Sequence, residues 1–378
     1  MSGPLTHIKV LDLSRVLAGP WSTQILGDMG AEVIKIERPG VGDDTRHWGP
    51  PFQKNSDGSQ GDAAYFLCAN RNKKSQFIDI TTKHGQKEVR DIASTCDIVV
   101  ENYKVGGLKK YGLDYDSLKE LNPGLIYCSI TGFGQTGPYA NRAGYDFMIQ
   151  AMGGMMSITG DSDENGGGPQ KVGVAIADIM TGMYATIGIL GALAHRDRTG
   201  EGQYIDLALL DCQIAMLANH TSNYLVSGDI PKRHGNAHVS IVPYQTFKTK
   251  DGEMVLAIGN DVQFKKFSVL TGQLWAEDDR YKTNEARVKN RGSLVPEIKA
   301  IINQKTTKEW IEILEKNNIP CGPVNNLEQI LSDPHVISRN LVRTIKGEDG
   351  TKTPIIANPI NFSKTPLDYK IAPPKLKP

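Results

Sequence analysis

The chain has 378 residues, and its 43 Lys and Arg against 42 Asp and Glu leave a formal net charge of +1. That balance excludes a field of one sign of the kind that gathers nucleic acid or anionic membrane. The length suits two domains, and the five scattered cysteines contain no CxxC pair, so neither a disulfide framework nor a zinc site is suggested.

The opening MSGPLTHIKVLDL has no charged-then-apolar leader, which together with the cysteine pattern points to a reduced, cytoplasmic setting. Ile8 to Leu13 reads as a strand. Gly19-Pro20 opens a helix to about Met29, Gly30 ends it, and Glu32 to Glu37 is the next strand. This βαβ start implies a parallel sheet. The turn LAGPWSTQ lacks the GxGxxG fingerprint of dinucleotide folds. Glu37 could bind a ribose, but Arg38 follows at once, and an Arg at the carboxyl end of a parallel strand suits a phosphate.

The loop RPGVGDDTRHWGPP adds Arg46 and His47. A second basic loop, NRNKKS from Asn70 to Ser75, leads into a strand Gln76 to Ile80, and Thr82 opens a helix to about Thr95. The strand Asp97 to Glu101 ends in Asn102-Tyr103-Lys104, with Lys109 and Lys110 close behind. Three successive strand ends carrying basic or amide groups favour a ligand with several phosphates, and coenzyme A fits better than a single phosphate.

A helix near Asp114 to Leu121 and a strand Leu125 to Ile130 precede a glycine-rich loop, Gly132 to Gly137, closed by Arg142 and Gly144-Tyr145-Asp146. A polar loop, Ser157 to Gln170, delivers the chain to VGVAIADIMTGMYATIGILGALA, Val172 to Ala194, whose one formal charge is Asp178. Thr181, Ala185, Gly188 and Ala192 share one helix face, and Met180, Met183, Ile187 and Leu190 another. The macrodipole favours an ionised Asp178 near the helix start, where a plain N-cap and a functional carboxylate both remain open. The run is long enough to cross a membrane. Its Gly, Ala and Thr content and the lack of a second such segment favour a helix in a soluble core instead.

RTGEGQ then turns into a strand Tyr204 to Leu207 and a helix Leu209 to Leu225. From Ser227 the texture is α+β: a hairpin of Tyr244 to Thr249 with Glu253 to Ile258, and helices at Val262 to Leu270, Ser293 to Ile302 and Thr306 to Asn317, the last opening with a capping box, Thr306…Glu309. Ile319 to Val324 is a short strand, and six Pro in the 28 residues from Thr351 imply an extended arm. The domains expected are 1–225, 226–325 and a linker with C-terminal return, 326–378.

The stretches VLDLSRVLAGPWSTQILGDMGAEVIKIERPGVGDDTR, NRNKKS, VENY, GLDYDSLKELNP, GYDF, ADIMTGMYATIGILGAL, RTGEGQYIDLALLD and IPCGPV together resemble the class III coenzyme A transferases over nearly the whole chain. The resemblance implies an α/β fold: a large Rossmann-like domain, a smaller α+β domain, and ring-shaped subunits interlocked in a homodimer. It makes Asp178 the nucleophile that forms an anhydride and then an aspartyl-CoA thioester, with no metal and no cofactor beyond coenzyme A. It assigns coenzyme A contacts to Val16, Leu17 and Ala18, to Arg38, to Ile78, Asp79, Ile80 and Thr81, to Asn102, Tyr103 and Lys104, and to Lys110 and Arg142. A glycine-run lid of some members has no counterpart here beyond Gly259-Asn260 or the His234 to His238 loop. The stretch GDDTRHWGPPF, the NRNKKS form and the loop from Gly235 through His238 to Tyr244 resemble the branch that uses small dicarboxylates. A second substrate carboxylate would meet Arg46, His47, Arg71 or His238. The expected partners are succinyl-CoA as donor and a dicarboxylate such as glutarate as acceptor. The alternatives are formyl-CoA:oxalate or acetyl-CoA:oxalate transfer, simple acyl-CoA binding, and racemisation of 2-methylacyl-CoA, which needs a His where this chain has Tyr145.

Overall fold

The computed structural model describes residues 3–376. Two compact units are present: one holds the chain up to Met155, Lys171–Asp229 and the chain from Pro334 onward, and the other holds Met156–Gln170 and Ile230–Asp333.

The first unit is built on six strands: β1 (Lys9–Asp12), β2 (Glu32–Glu37), β3 (Lys73–Phe77), β4 (Ile98–Glu101), β5 (Ile126–Thr131) and β6 (Tyr204–Ala208). All pair parallel, in the order β3-β2-β1-β4-β5-β6. This is the order of a doubly wound nucleotide-binding sheet, whose switch point lies between β1 and β4. Alternate residues serve opposite faces. Val10, Val33, Ile98 and Ile126 pack into one apolar cluster, and Leu11, Ile36, Val99 and Tyr127 into another, so both faces are covered.

The helices that matter are α1 (Ala18–Asp28), α2 (Lys83–Ala93), α3 (Asp146–Met152), α4 (Ile176–Thr199), α5 (Leu209–Met216) and α6 (Asn219–Ser227). Helix α4 has the length and mean hydropathy (1.5) of a membrane span. Its Thr181, Ala185, Ile189 and Ala192 nevertheless sink into the first cluster's side of the unit. Gly182 lies against α1: a Cβ there would fall 2.6 Å from the Ala18 carbonyl oxygen, so the two helices approach at a distance only glycine permits.

The second unit carries an antiparallel sheet of β7 (Tyr244–Lys248), β8 (Glu253–Ala257) and β9 (Cys321–Pro323), with β8 in the centre. Helices α7 (Asp261–Leu270), α8 (Arg291–Ile302) and α9 (Thr307–Lys316) supply Phe264, Phe267, Leu294, Ile298, Trp310 and Leu314 to its core. The capping box expected at Thr306 and Glu309 is formed in both directions.

Three elements differ from the sequence reading. The third strand is Lys73–Phe77 rather than Gln76 to Ile80, so half of the NRNKKS "loop" is sheet. Lys73 pairs in register with Val33, and burial of its ammonium against Asp12 fixes that register. The helix expected from Leu209 to Leu225 is two helices, broken where Ala218 takes φ 46°. The tail, expected as an extended arm from Thr351, begins instead as a strand, Lys352–Ile356, and runs as an arm only beyond it. After a hairpin of Val342–Lys346 with Lys352–Ile356, it runs back to the first unit, where the Asn72 N–H donates to the Ile371 carbonyl (2.8 Å).

Candidate active site

Asp178 stands on the first turn of α4, three residues after the N-cap position Ala175. It does not cap its own helix. That task falls to Asp146 of α3, whose Oδ1 accepts from the N–H of Ala177 (2.8 Å) and of Asp178 (3.4 Å). Gln150, one turn along α3, holds Asp146 in place: its Nε2 donates to Asp146 Oδ2 (2.7 Å), and its Oε1 accepts the N–H of Val172 (2.9 Å). The Asp178 carboxylate is thus left unspent, and among the described residues no Lys, Arg or His pairs with it.

Burial, and then the negative charge of Asp146, push the Asp178 carboxyl up from 3.8 to about 7. The helix dipole opposes this and keeps the ionised form within reach at neutral pH. A carboxylate that is both accessible and unusually basic is a better nucleophile than an ordinary one. Tyr65 lies in the same electrostatic neighbourhood. Burial and the charge of Asp178 hold its phenol up at about 12, so it keeps its proton. Its ring meets Trp48 edge-on at 5.3 Å.

The positions expected to hold coenzyme A follow the carboxyl ends of successive strands, on one rim of the sheet. Val16, Leu17 and Ala18 join β1 to α1, and Arg38 follows β2 and is exposed. Ile78, Asp79, Ile80 and Thr81 follow β3 as a turn rather than as strand, with Asp79 Oδ1 accepting from the N–H and hydroxyl of Thr81. Asn102, Tyr103 and Lys104 follow β4, and Lys110 sits in the 3-10 turn Lys109–Tyr111 with its ammonium 4.7 Å from the Tyr111 ring centre. Arg142 follows β5, exposed, its guanidinium 4.6 Å from the ring centre of Tyr139.

The expected carboxylate-binding residues divide. Arg46 is closed to any ligand: its Nε and Nη2 donate to both oxygens of Glu37 (2.8 and 2.7 Å), its Nη1 to Asp62 (2.9 Å), and its guanidinium lies 3.6 Å over the Phe66 ring. Arg71 is likewise spent, donating to both oxygens of Asp28 (2.9 and 2.6 Å). These are corrections to the sequence reading, and their cause is tertiary: each Arg meets acids far away in sequence. The same pairing takes Glu37 away from any ribose. His47 is exposed, with Nε2 3.0 Å from the Val41 carbonyl oxygen, and Tyr145, at the N-cap of α3, is 66 % exposed. In the second unit, His238 accepts from the Ser240 N–H through Nδ1 (3.0 Å) and meets Tyr244 edge-on at 5.3 Å. Asp146, Gln150 and Tyr65 are functional positions that the sequence reading does not single out: the triplet Gly144-Tyr145-Asp146 stands out as a loop closure, but nothing local marks its Asp as the cap of a distant helix.

Comparison with known proteins bears on this site. The family model CoA-transferase family III matches residues 5–377. The succinate–glutarate CoA-transferase of Agrobacterium fabrum is 51 % identical over 378 residues, 99 % of this chain and 93 % of that one. The human succinyl-CoA:glutarate CoA-transferase is 42 % identical over 374 residues, 99 % of this chain and 83 % of that one. A crystal structure of a CAIB/BAIF family protein from Brucella suis superposes with a TM-score of 0.87 at 50 % identity, covering 100 % and 97 % of the two chains. The chain therefore belongs to CoA-transferase family III and is a CoA-transferase.

Proposed function

We propose that this enzyme moves coenzyme A from succinyl-CoA to glutarate through Asp178. The observation that carries the reading is the unpaired, basic carboxylate of Asp178 on a helix whose cap is supplied from elsewhere. One Asp178 oxygen attacks the thioester carbonyl; a C–O bond forms, the C–S bond breaks, and coenzyme A leaves as thiolate. The thiolate attacks the aspartyl carbonyl of the anhydride and expels succinate, leaving an aspartyl-CoA thioester. Glutarate reverses both steps and departs as glutaryl-CoA. No proton need be added or removed overall, which suits a nucleophile without a neighbouring base.

Leu17 and Ala18, Arg38, Lys104 and Lys110 are the positions we assign to the coenzyme A phosphates and pantetheine. The identity to relatives named for succinate and glutarate supports that pair over oxalate, and Tyr145 in place of His supports transfer over racemisation. Exposed apolar side chains on α4 (Ile187, 60 %) and α6 (Leu225, 76 %; Val226, 88 %) favour a homodimer, which the resemblance describes as interlocked rings. Free cysteines, one of them exposed, suit a cytoplasmic setting.

Incubation with succinyl-CoA and hydroxylamine, followed by peptide mapping, is the test. A hydroxamate at Asp178 is expected; its absence during turnover overturns the mechanism. Mass analysis of products from a matrix of acids then reads the acceptor, and preference for oxalate over glutarate overturns the substrate pair.

A further inference from the structure

The turn between β1 and α1 lies at the switch point of the sheet, beside the end of β4. Five of the six backbone polar groups of Ser14, Arg15 and Val16 are engaged by side chains. Ser14 N–H donates to Asp12 Oδ1 (3.0 Å), and the Ser14 carbonyl accepts from Lys35 Nζ (2.8 Å). Arg15 N–H donates to Asn102 Oδ1 (2.9 Å), and the Arg15 carbonyl accepts from Asn102 Nδ2 (2.6 Å). Val16 N–H donates to the Asp43 carboxylate, 3.3 Å from each oxygen.

Val16 itself has φ 70°, a left-handed conformation that a β-branched residue avoids. The groups that hold it there are costly. Lys35 and Asp43 form an ion pair at 3.0 Å with both side chains fully buried, and beneath them Lys73 and Asp12 form another at 3.1 Å, equally buried. Buried pairs of this kind rarely repay their desolvation as stability. Here they terminate on the backbone of one strained turn. Both ends of the Asn102 amide are consumed by Arg15, so little of that side chain remains for a ligand.

We infer that Asn102, Lys35 and Asp43 are positioning residues. They hold the Ser14–Val16 turn in the conformation that presents Val16, Leu17 and Ala18 to the coenzyme A ester, and Asn102 acts on this turn instead of on the ligand. Released, Val16 relaxes to negative φ and turns the peptide planes on either side of it away from the crevice. The inference rests on the reading that this turn binds coenzyme A.

The test compares Asn102→Ala in two backgrounds, wild type and Val16→Gly. In the wild-type background KM for the CoA ester rises ~10-fold while kcat at saturation stays within ~3-fold. In the Val16→Gly background the same substitution changes KM less than ~2-fold, because glycine keeps φ 70° without strain and the two positions are coupled. Asn102→Asp, which keeps the acceptor for the Arg15 N–H and loses the donor to its carbonyl, gives an intermediate rise. An equal rise in both backgrounds means that Asn102 touches the ligand directly and overturns the inference, as does an unchanged KM. Amide hydrogen exchange without ligand separates this inference from the functional reading. Loss of Arg15 N–H protection in Asn102→Ala supports the clamp even if the wild type transfers no coenzyme A, and retained protection overturns it.

Discussion

Replacing Asp178 with Asn removes the nucleophile and at the same time relieves a cost carried by the fold. The carboxyl titrates at 3.8 when free and at about 7 in the native state. The native state therefore binds the proton more tightly, so the contribution of this group is fully present below pH 3.8 and is lost as pH rises through 7. At about 1.4 kcal/mol per unit, a shift of this size has an upper bound of ~4 kcal/mol. Asp178 is only partly buried by surface area, which reduces the realistic figure to ~1–2 kcal/mol. Asn has the same volume and does not titrate. Asp178→Asn is thus expected to match the wild type in stability at pH 4 and to exceed it by ~1–2 kcal/mol at pH 8, a rise in Tm of ~1–3 °C for a chain of this length. Activity falls by at least ~1,000-fold over the whole range. Paired thermal melts and transferase assays at both pH values check this. Equal stability of the two proteins at pH 8 would refute the desolvated carboxylate, and retained activity would refute the nucleophile.

Asp146→Asn keeps one oxygen to cap α4, loses the bond from Gln150 Nε2, and removes the charge beside Asp178, so the acid limb of the kcat/KM profile moves to lower pH. Arg38→Ala weakens binding of the CoA ester by ~1–3 kcal/mol for a lost charged hydrogen bond; unchanged affinity in calorimetry moves the phosphate site elsewhere. Arg46→Ala leaves Glu37 and Asp62 buried without their partner and costs ~3–5 kcal/mol in denaturant unfolding; a neutral result removes the structural role given to this Arg. Gly182→Ala forces a methyl against the Ala18 carbonyl and destabilises by ~1–3 kcal/mol, read by the same melts.

Much of the fold is written in local pattern. Alternation and turn residues mark β1, α1 and β2, the hairpin of β7 and β8, and the capping box at Thr306. The lone acid of the apolar run Val172 to Ala194 was equally visible, because a charge in such surroundings needs a reason. Ion pairing was not visible. Arg46, Arg71 and Lys73 look like a solvated basic rim in the sequence, yet each lies buried against an acid 9 to 61 residues away. A basic residue in a loop and one in a core differ only in what the fold brings to it. The cap of α4 was hidden for the same reason: Asp146 is 31 residues before the N–H it satisfies.

Asp28, near the end of α1, gathers Arg71 and Asn72 from one part of the chain and Asn358 from another, and Asn72 in turn is held by the backbone of Asp368 and Ile371. The polar core of the first unit is thus closed by a segment, Asn358 to Ile371, that is made after every strand of its sheet. The second unit, whose final residue is Asp333, is complete in sequence before that happens. Synthesis therefore delivers the inserted unit ready to fold while the unit that begins the chain still lacks its closing segment, an inversion of the usual N-terminal-first order. Ending the chain before Tyr369 would leave every strand of the sheet intact and remove the Tyr369 to Ile371 cover from Arg71 and Asn72, so the first unit stays open to quality control until that late segment has been made.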